Sequence, residues 1–278
     1  MVSSHIKVSA ALRLYRGFLL LATPFILMRL WWRGRREPEY RRRIGERFGF
    51  IALRGTRPVI WFHAVSAGEV IAAAPLIRRI AAQFPDDQVL VTTMTPTGAE
   101  QVDALLDDVV VHRYAPYDMT FAVKRYWRRV QPRILLLMET ELWPNLILQA
   151  ALESVPTCLI NARLSARSMR GYRRFAIISK PMLALLEHIS CQYPAHAERF
   201  QSLGVDPRRL SVAGNLKFDR GLPEDLDQKR SDIIAGCRLQ GQQVWLAAST
   251  HHGEEGQVLH CLGPVSYTHL TLPTIHRV

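Results

Sequence analysis

Cysteine is scarce and scattered. The four residues Cys158, Cys191, Cys237 and Cys261 form no C-x-x-C pair, so neither a disulfide framework nor a zinc ribbon is expected, and ordinary thiols of a reducing cytoplasm are. The glycine-rich phosphate signatures are missing too. No G-x-G-x-x-G follows a strand and no G-x-x-x-x-G-K-[ST] occurs, which argues against a dehydrogenase and a P-loop nucleotidase. There is no G-x-S-x-G elbow. The ten histidines contain no H-E-x-x-H, and His251-His252 are neighbours that would point apart on a helix, so no metal is expected. Acidic residues are in deficit, 24 against 36 Lys and Arg. The imbalance sits at one end: residues 1–57 hold 13 basic and 3 acidic side chains, leaving a surplus of only two for the other 221 residues. Without a basic, aromatic-studded groove through that remainder, no nucleic-acid partner is expected. With 278 residues, 48% of them hydrophobic, the chain is neither a peptide module nor a disordered tail, and its length suits one large domain or two modest ones.

What the basic end does have is one long apolar run. Residues 18–32 read FLLLATPFILMRLWW, interrupted by Pro24 and Arg29. That is short of the roughly 20 residues a straight helix needs to cross a bilayer core, and Leu12, Leu14 and Tyr15 extend it to marginal spanning length. Arg33, Arg35, Arg36, Arg41, Arg42, Arg43 and Arg47 follow, whereas only Lys7, Arg13 and Arg16 precede it. The asymmetry places the bulk of the protein on the cytoplasmic side, with Trp31 and Trp32 at headgroup depth. A secretory signal fits poorly, because no small-residue cleavage site follows and the arginines lie on the wrong side. A core helix of a soluble protein is the alternative, and Pro24 is awkward in either setting. Membrane attachment is the expectation; whether the segment spans or lies in one leaflet stays open, and the arginine collar would bind anionic lipid in both cases.

From residue 58 onward, short β-branched runs alternate with helical patterns, the signature of an α/β fold with a parallel sheet covered on both faces. Strands are predicted at 59–64, 88–93, 109–114, 133–138, 157–161 and 189–193. In the helix predicted over 69–84, Val70, Ala73, Ala74, Ile77, Ile80 and Ala81 share one face. Ligands of such sheets sit beyond the carboxyl ends of the strands. There, Ser66 followed by Glu69 forms a capping box, and Gly68 permits close approach of a ligand; Glu69 is base, cap, or one and then the other. After the fourth strand come Glu139, Thr140 and Glu141. Either Thr140 caps the next helix while the two acids favour its positive end, or the carboxylates are functional, since charges avoid a buried strand such as LLLM. Arg163, beyond the fifth strand, would pair with those acids or bind an anion.

Taken in order, these residues resemble the 3-deoxy-D-manno-octulosonic acid (Kdo) transferases, membrane-associated glycosyltransferases that add Kdo to a lipid A precursor. The matching stretches are YRRRIGERFG at 40–49, the 63–69 segment, TTMTPTG at 92–98, YAPYD at 114–118, ETELWPN at 139–145, NARLS at 161–165, GNLKFD at 214–219 and ASTHHGEE at 248–255. The resemblance implies a GT-B fold of two Rossmann-like domains. Residues 1–49 would be the anchor and collar, 50–210 the acceptor domain, and 211–259 the start of a CMP-Kdo-binding domain. It implies an inverting transfer at the inner membrane, facing the cytoplasm, with Glu69 as general base and no cofactor or metal. Ser66, Gly68, Glu139, Glu141 and Arg163 would meet the acceptor; Lys217, Ser249, Thr250, His251 and Glu254 would lie on the donor side, where a helix start suits a phosphate or carboxylate. Residues 260–278 match nothing in the family. They read as foreign sequence after a truncated frame, and a chain so shortened is expected to transfer little or no sugar. Two alternatives stay in play: a membrane-anchored transferase for another nucleotide sugar, and a non-catalytic module that binds acidic lipid through its arginines.

Overall fold

Apolar strands that are buried on both faces need helices above and below them, and the chain supplies these in strict alternation. In a computed structural model, residues 10–53, 57–219, 225–237, 239–241 and 246–262 are described. They fall into two compact units, one running to Gly221 and the other from Leu222. The first opens with α1 (Ala10–Arg36), a 3-10 turn (Pro38–Arg41) and the single turn α2 (Ile44–Arg47). Next come β1 (Val59–His63), α3 (Ala67–Gln83), β2 (Gln88–Thr93), α4 (Pro96–Leu106), β3 (Val110–Tyr114), α5 (Thr120–Val130) and β4 (Pro132–Met138). The unit continues with α6 (Pro144–Leu152), β5 (Thr157–Ala162), α7 (Ala166–Arg174), α8 (Ala176–Ala184), β6 (His188–Cys191), α9 (Pro194–Ser202) and β7 (Leu210–Val212). In the second unit the described helices are α10 (Leu226–Gly236) and α11 (Glu254–Leu262). Of the stretch expected to be unrelated sequence, His260 to Leu262 close α11, and 263–278 lie outside the described residues.

The strands form one parallel sheet in the order β3-β2-β1-β4-β5-β6-β7. All six predicted strands are present, each within a residue or two of its predicted bounds. The seventh, β7, has three residues, too few to display a period, and its Ser211 pairs with Ser190. The first unit thus runs through the point where the second domain is expected to start, and it also takes in the segment expected to stand apart as anchor. Because side chains alternate along a strand, the core divides into two layers. Val59, Trp61, Leu135 and Leu137 face α5, α6, α8 and α9, whereas Ile60, Phe62, Leu136 and Met138 face α3 and α4. Strand order reverses between β1 and β4, so their following helices leave to opposite faces and a crevice opens at the carboxyl ends.

Helix α1 lies along the surface of this unit and is tied to it at intervals. The Tyr15 hydroxyl donates to Asp118 Oδ2 (2.9 Å), Arg16 Nε donates to Asn145 Oδ1 (2.7 Å), the Thr23 hydroxyl reaches Met119 Sδ (3.7 Å), and Leu30 is buried. On the outward side Leu14, Phe18, Leu21, Phe25, Met28 and Trp32 stand at alternating steps of four and three and are all exposed. The arginine collar is thinner than its sequence implies. Arg47 is 1% exposed, stacks over the Tyr114 ring at 4.2 Å and donates to the Met94 carbonyl (3.0 Å). Arg43 pairs with Glu46 and donates to the His112 carbonyl. These two guanidiniums are therefore structural, because the turn carrying them folds in against β3.

That turn ends on Gly49, whose φ of +86° only glycine adopts without cost. A Cβ there would also meet the Ala122 carbonyl oxygen at 2.5 Å and Arg125 Cβ at 2.9 Å. Gly49→Ala is expected to lower unfolding free energy by about 1–3 kcal/mol. Gly45→Ala, whose Cβ would make only an ordinary 3.5 Å contact with Phe50, should cost less than about 0.5 kcal/mol. Urea denaturation of both variants checks the contrast.

Candidate functional site

The crevice between β1 and β4 gathers the sequence-derived acids. Ser66 caps α3, its hydroxyl oxygen accepting from the Glu69 backbone N–H (3.4 Å) while its hydroxyl donates to Glu69 Oε1 (2.9 Å). Glu69 Oε2 accepts the Val65 N–H (2.9 Å). The capping box therefore forms, shifted by one residue from its usual form, in which the carboxylate would take the cap residue's own N–H. Glu69 is 7% exposed. Burial raises its pKa from 4.5 to about 8, the Glu141 charge adds to this, the Ser66 and Val65 hydrogen bonds oppose it, and Glu139 contributes last. Gly68, in the same turn, has open space where a Cβ would project.

The β4 loop does not cap the next helix, contrary to the reading of Thr140 as a cap. Residue Trp143 precedes α6 without a side-chain cap, and the N–H groups of Asn145 and Leu146 donate to Asp118 Oδ2 and Oδ1 (3.0 and 2.8 Å). Asp118 arrives from the loop after β3, a long-range cap that local spacing does not reveal. Burial holds its pKa up near 7, against the pull of those N–H groups, the Tyr15 hydroxyl and Arg16. With the helix start satisfied from elsewhere, Glu139 and Glu141 are left without a capping role. Glu139 occupies the left-handed region (φ +49°), and its carboxylate pairs with Arg163 Nη2 at 3.3 Å. Glu141 Oε2 accepts from Trp143 Nε1 (2.8 Å), and burial followed by the Glu139 charge raises its pKa.

Behind these carboxylates lies a group not singled out in the sequence. His63 is fully buried at the end of β1, its ring edge-on to Trp143 at 4.5 Å and its Nδ1 3.0 Å from Thr92 Oγ1. Burial lowers its pKa to about 3, so the ring is neutral. It packs Trp143 in place and so orients the Trp143–Glu141 bond. A histidine ending an apolar strand run was the available signal.

The expected donor-side residues form separate groups. Lys217 lies in the 3-10 turn Leu216–Asp219 of the first unit, anchored where the Leu216 N–H donates to Asn161 Oδ1 (3.1 Å). In the second unit Ser249 has φ +58°, the Thr250 hydroxyl donates to Glu255, and the His251 N–H donates to Glu254 Oε2 (2.8 Å). That hydroxyl and that N–H, expected to face an anion, are engaged by the chain's own carboxylates. Among the described residues no group of three or more His, Cys, Asp or Glu is disposed to hold a metal ion.

A buried carboxyl with its pKa raised to about 8, beside two acidic neighbours at a sheet switch point, is able to exchange a proton with a substrate group near neutral pH. A family profile described as 3-deoxy-D-manno-octulosonic-acid transferase (kdotransferase) matches residues 42–220, nearly the span from collar to the end of the first unit. The 3-deoxy-D-manno-octulosonic acid transferase of Haemophilus influenzae is 38% identical over 247 residues, which is 88% of this chain and 58% of that protein. That of Bordetella pertussis is 33% identical, over 89% of this chain and 59% of its own. Among solved structures, UDP-GlcNAc 2-epimerase from Neisseria meningitidis aligns with a TM-score of 0.45 at 15% identity, over 66% of this chain and 52% of that one. The chain thus spans somewhat over half the length of these relatives and, with the family profile matched across most of its residues, belongs to the 3-deoxy-D-manno-octulosonic acid transferase family.

Proposed function

We propose that the first unit is the acceptor-binding part of a glycosyltransferase that moves Kdo from CMP-Kdo to a lipid A precursor in lipopolysaccharide biosynthesis. The single observation that carries the reading is Glu69, a buried carboxyl with its pKa near 8, set where β1 meets α3. Its ionised form takes the proton of an acceptor hydroxyl as that oxygen bonds to the anomeric carbon. The bond from that carbon to the CMP phosphate oxygen breaks with its electron pair, CMP departs as an anion, and one displacement inverts the centre. Each Glu69 oxygen carries one hydrogen bond in the cap, and a carboxylate oxygen has a second lone pair to offer. Capping and proton transfer are therefore compatible in one side chain. Ser66, Gly68, Glu139, Glu141 and Arg163 shape the acceptor pocket, while Lys217, Ser249, Thr250, His251 and Glu254 serve the donor from a second domain of GT-B type.

Helix α1 supports the location. Its outward stripe of Leu14, Phe18, Leu21, Phe25, Met28 and Trp32 is exposed, and an apolar face of that length needs an apolar neighbour. The outward stripe from Leu14 to Trp32 is immersed in one leaflet of the inner membrane, and the ties at Tyr15, Arg16 and Thr23 hold the helix in the membrane plane. Arg33, Arg35 and Arg36 close the helix and meet anionic headgroups.

Replacing the glutamate equivalent to Glu69 by glutamine in the full-length Haemophilus influenzae relative is expected to cut turnover by about 10²-fold or more, and wild-type turnover should rise with pH towards about 8. Retained turnover would leave Glu69 a helix cap and nothing else. In the present chain the linkage has a definite sign. A folded pKa of about 8 above the ordinary 4.5 means that the folded state holds the proton longer. Stability from this group is full below 4.5 and is lost as pH rises to 8. Glu69→Gln should make that fall shallower by up to about 1.4 kcal/mol per pH unit, read from urea titrations at pH 5 to 8. For the membrane, Leu14→Ser, Phe18→Ser, Leu21→Ser and Phe25→Ser together are expected to abolish flotation with anionic phosphatidylglycerol vesicles; unchanged flotation would remove the in-plane reading.

A further inference from the structure

A cavity of about 920 Å³ opens between the first turns of α1 and the α7–α8 pair, near the top of the size range for small-molecule sites. Leu14 and Phe18 line it from α1, Tyr172, Phe175 and Ile178 from the α7–α8 pair, and Leu142 from the loop after β4. Few polar groups face it. The Tyr15 hydroxyl is engaged by Asp118 and the Ser179 hydroxyl by the Tyr172 carbonyl (2.7 Å), while Ser168 accepts from Ser165 and, with the Tyr172 hydroxyl, is the polar remainder among the lining side chains. A ligand polar along its length would leave most of its groups unpaired against these walls, which is costly. An alkyl chain needs no partner.

Three further observations select the chain. The groove is continuous with the outward stripe of α1, because Leu14 and Phe18 belong to both. Helix α7, which forms a wall, carries exposed Arg167, Arg170, Arg173 and Arg174, and among the described residues none of these has an ion pair. An apolar wall on a helix that also carries unpaired cations suits an amphiphile with an anionic head. Finally, Leu142 adjoins Glu141, so one loop presents a carboxylate to the crevice and a wall to the groove. A molecule with a sugar head and an alkyl tail would meet both ends of that loop.

We propose that this groove holds one acyl chain of the acceptor itself, rather than a chain of a bulk phospholipid, and so sets which hydroxyl is presented to Glu69. The inference rests on the acceptor reading given above. Gly171 provides the test, because a Cβ there has nothing within 4 Å and the residue lines the groove. A Cβ is accommodated there without a clash, and a larger side chain would extend from it into the groove. The probe is a phosphorylated, acylated glucosamine disaccharide with a diazirine in one acyl chain. Its binding to the intact chain is measured by calorimetry in detergent, and its crosslinks are mapped by mass spectrometry. The expected result is crosslinking at Phe175 and Ile178, reduced about tenfold or more by Gly171→Trp, since each methylene kept out of an apolar site costs roughly fourfold in affinity. Gly171→Leu should give an intermediate loss and stands in should the tryptophan variant fail to melt cooperatively. A probe that binds but crosslinks elsewhere, or equally in both variants, overturns the groove and leaves the acceptor reading standing. A probe that does not bind at all overturns both. Equal crosslinking by phosphatidylglycerol carrying the same diazirine chain overturns the assignment to the acceptor.

Discussion

Three carboxyl groups share the carboxyl ends of two adjoining strands, and like charges buried near one another cannot all ionise cheaply. This constraint follows from topology. Strand order reverses between β1 and β4, so the first turn of α3, which carries Glu69, and the loop carrying Glu139 and Glu141 must flank one crevice. Glu139 pairs with Arg163, and Glu141 accepts an indole N–H. Glu69, the most enclosed, has its pKa raised to about 8, chiefly by burial and then by the Glu141 charge. The cap bonds from Val65 and Ser66 favour its ionised form but are outweighed by burial. The side chain is thus held in a fixed orientation while its charge remains negotiable, as the proton-accepting role proposed for it requires.

Much of this was legible in the chain. Parallel strands buried on both faces are written as runs of valine, isoleucine and leucine, and the six longer ones announce themselves. The Ser66–Glu69 spacing announces the start of α3. What was hidden depends on partners far away in sequence. Thr140 has the right spacing to cap α6, yet the helix begins later and takes its cap from Asp118, 27 residues earlier in the chain. A cap is a backbone requirement that any nearby oxygen can meet, so local spacing proposes candidates and tertiary structure selects among them. Arg43 and Arg47 were hidden for the opposite reason. A run of arginines reads as a charged surface, but the left-handed backbone at Arg43 (φ +55°) turns the segment inward, and Tyr114 receives the Arg47 guanidinium.

The apolar end shows how far composition reaches. Residues 18–32 are too short and too interrupted for a clear spanning helix, and composition could not separate a leaflet helix from a core helix. The structure makes it a helix of 27 residues, about 40 Å long, with one face against the protein and an exposed apolar stripe on the other.

Asp118 joins these themes. Its two oxygens take the first N–H groups of α6, and Oδ2 also takes the Tyr15 hydroxyl of α1. Arg16 closes the same knot on Asn145. The segment that α6 follows directly is the loop holding Glu139, Glu141 and Trp143. The apolar helix, the start of α6 and the acidic loop are therefore fastened at one buried point, and none can shift without unpairing groups that are costly to leave unpaired. If α1 rests in a membrane, the depth of that helix fixes the height of the carboxylates above the lipid. On the function proposed above, with an acceptor that stays in the bilayer, that height would decide whether its hydroxyl arrives at the crevice, and the positioning would be done by a helix cap rather than by any residue in contact with the reacting atoms.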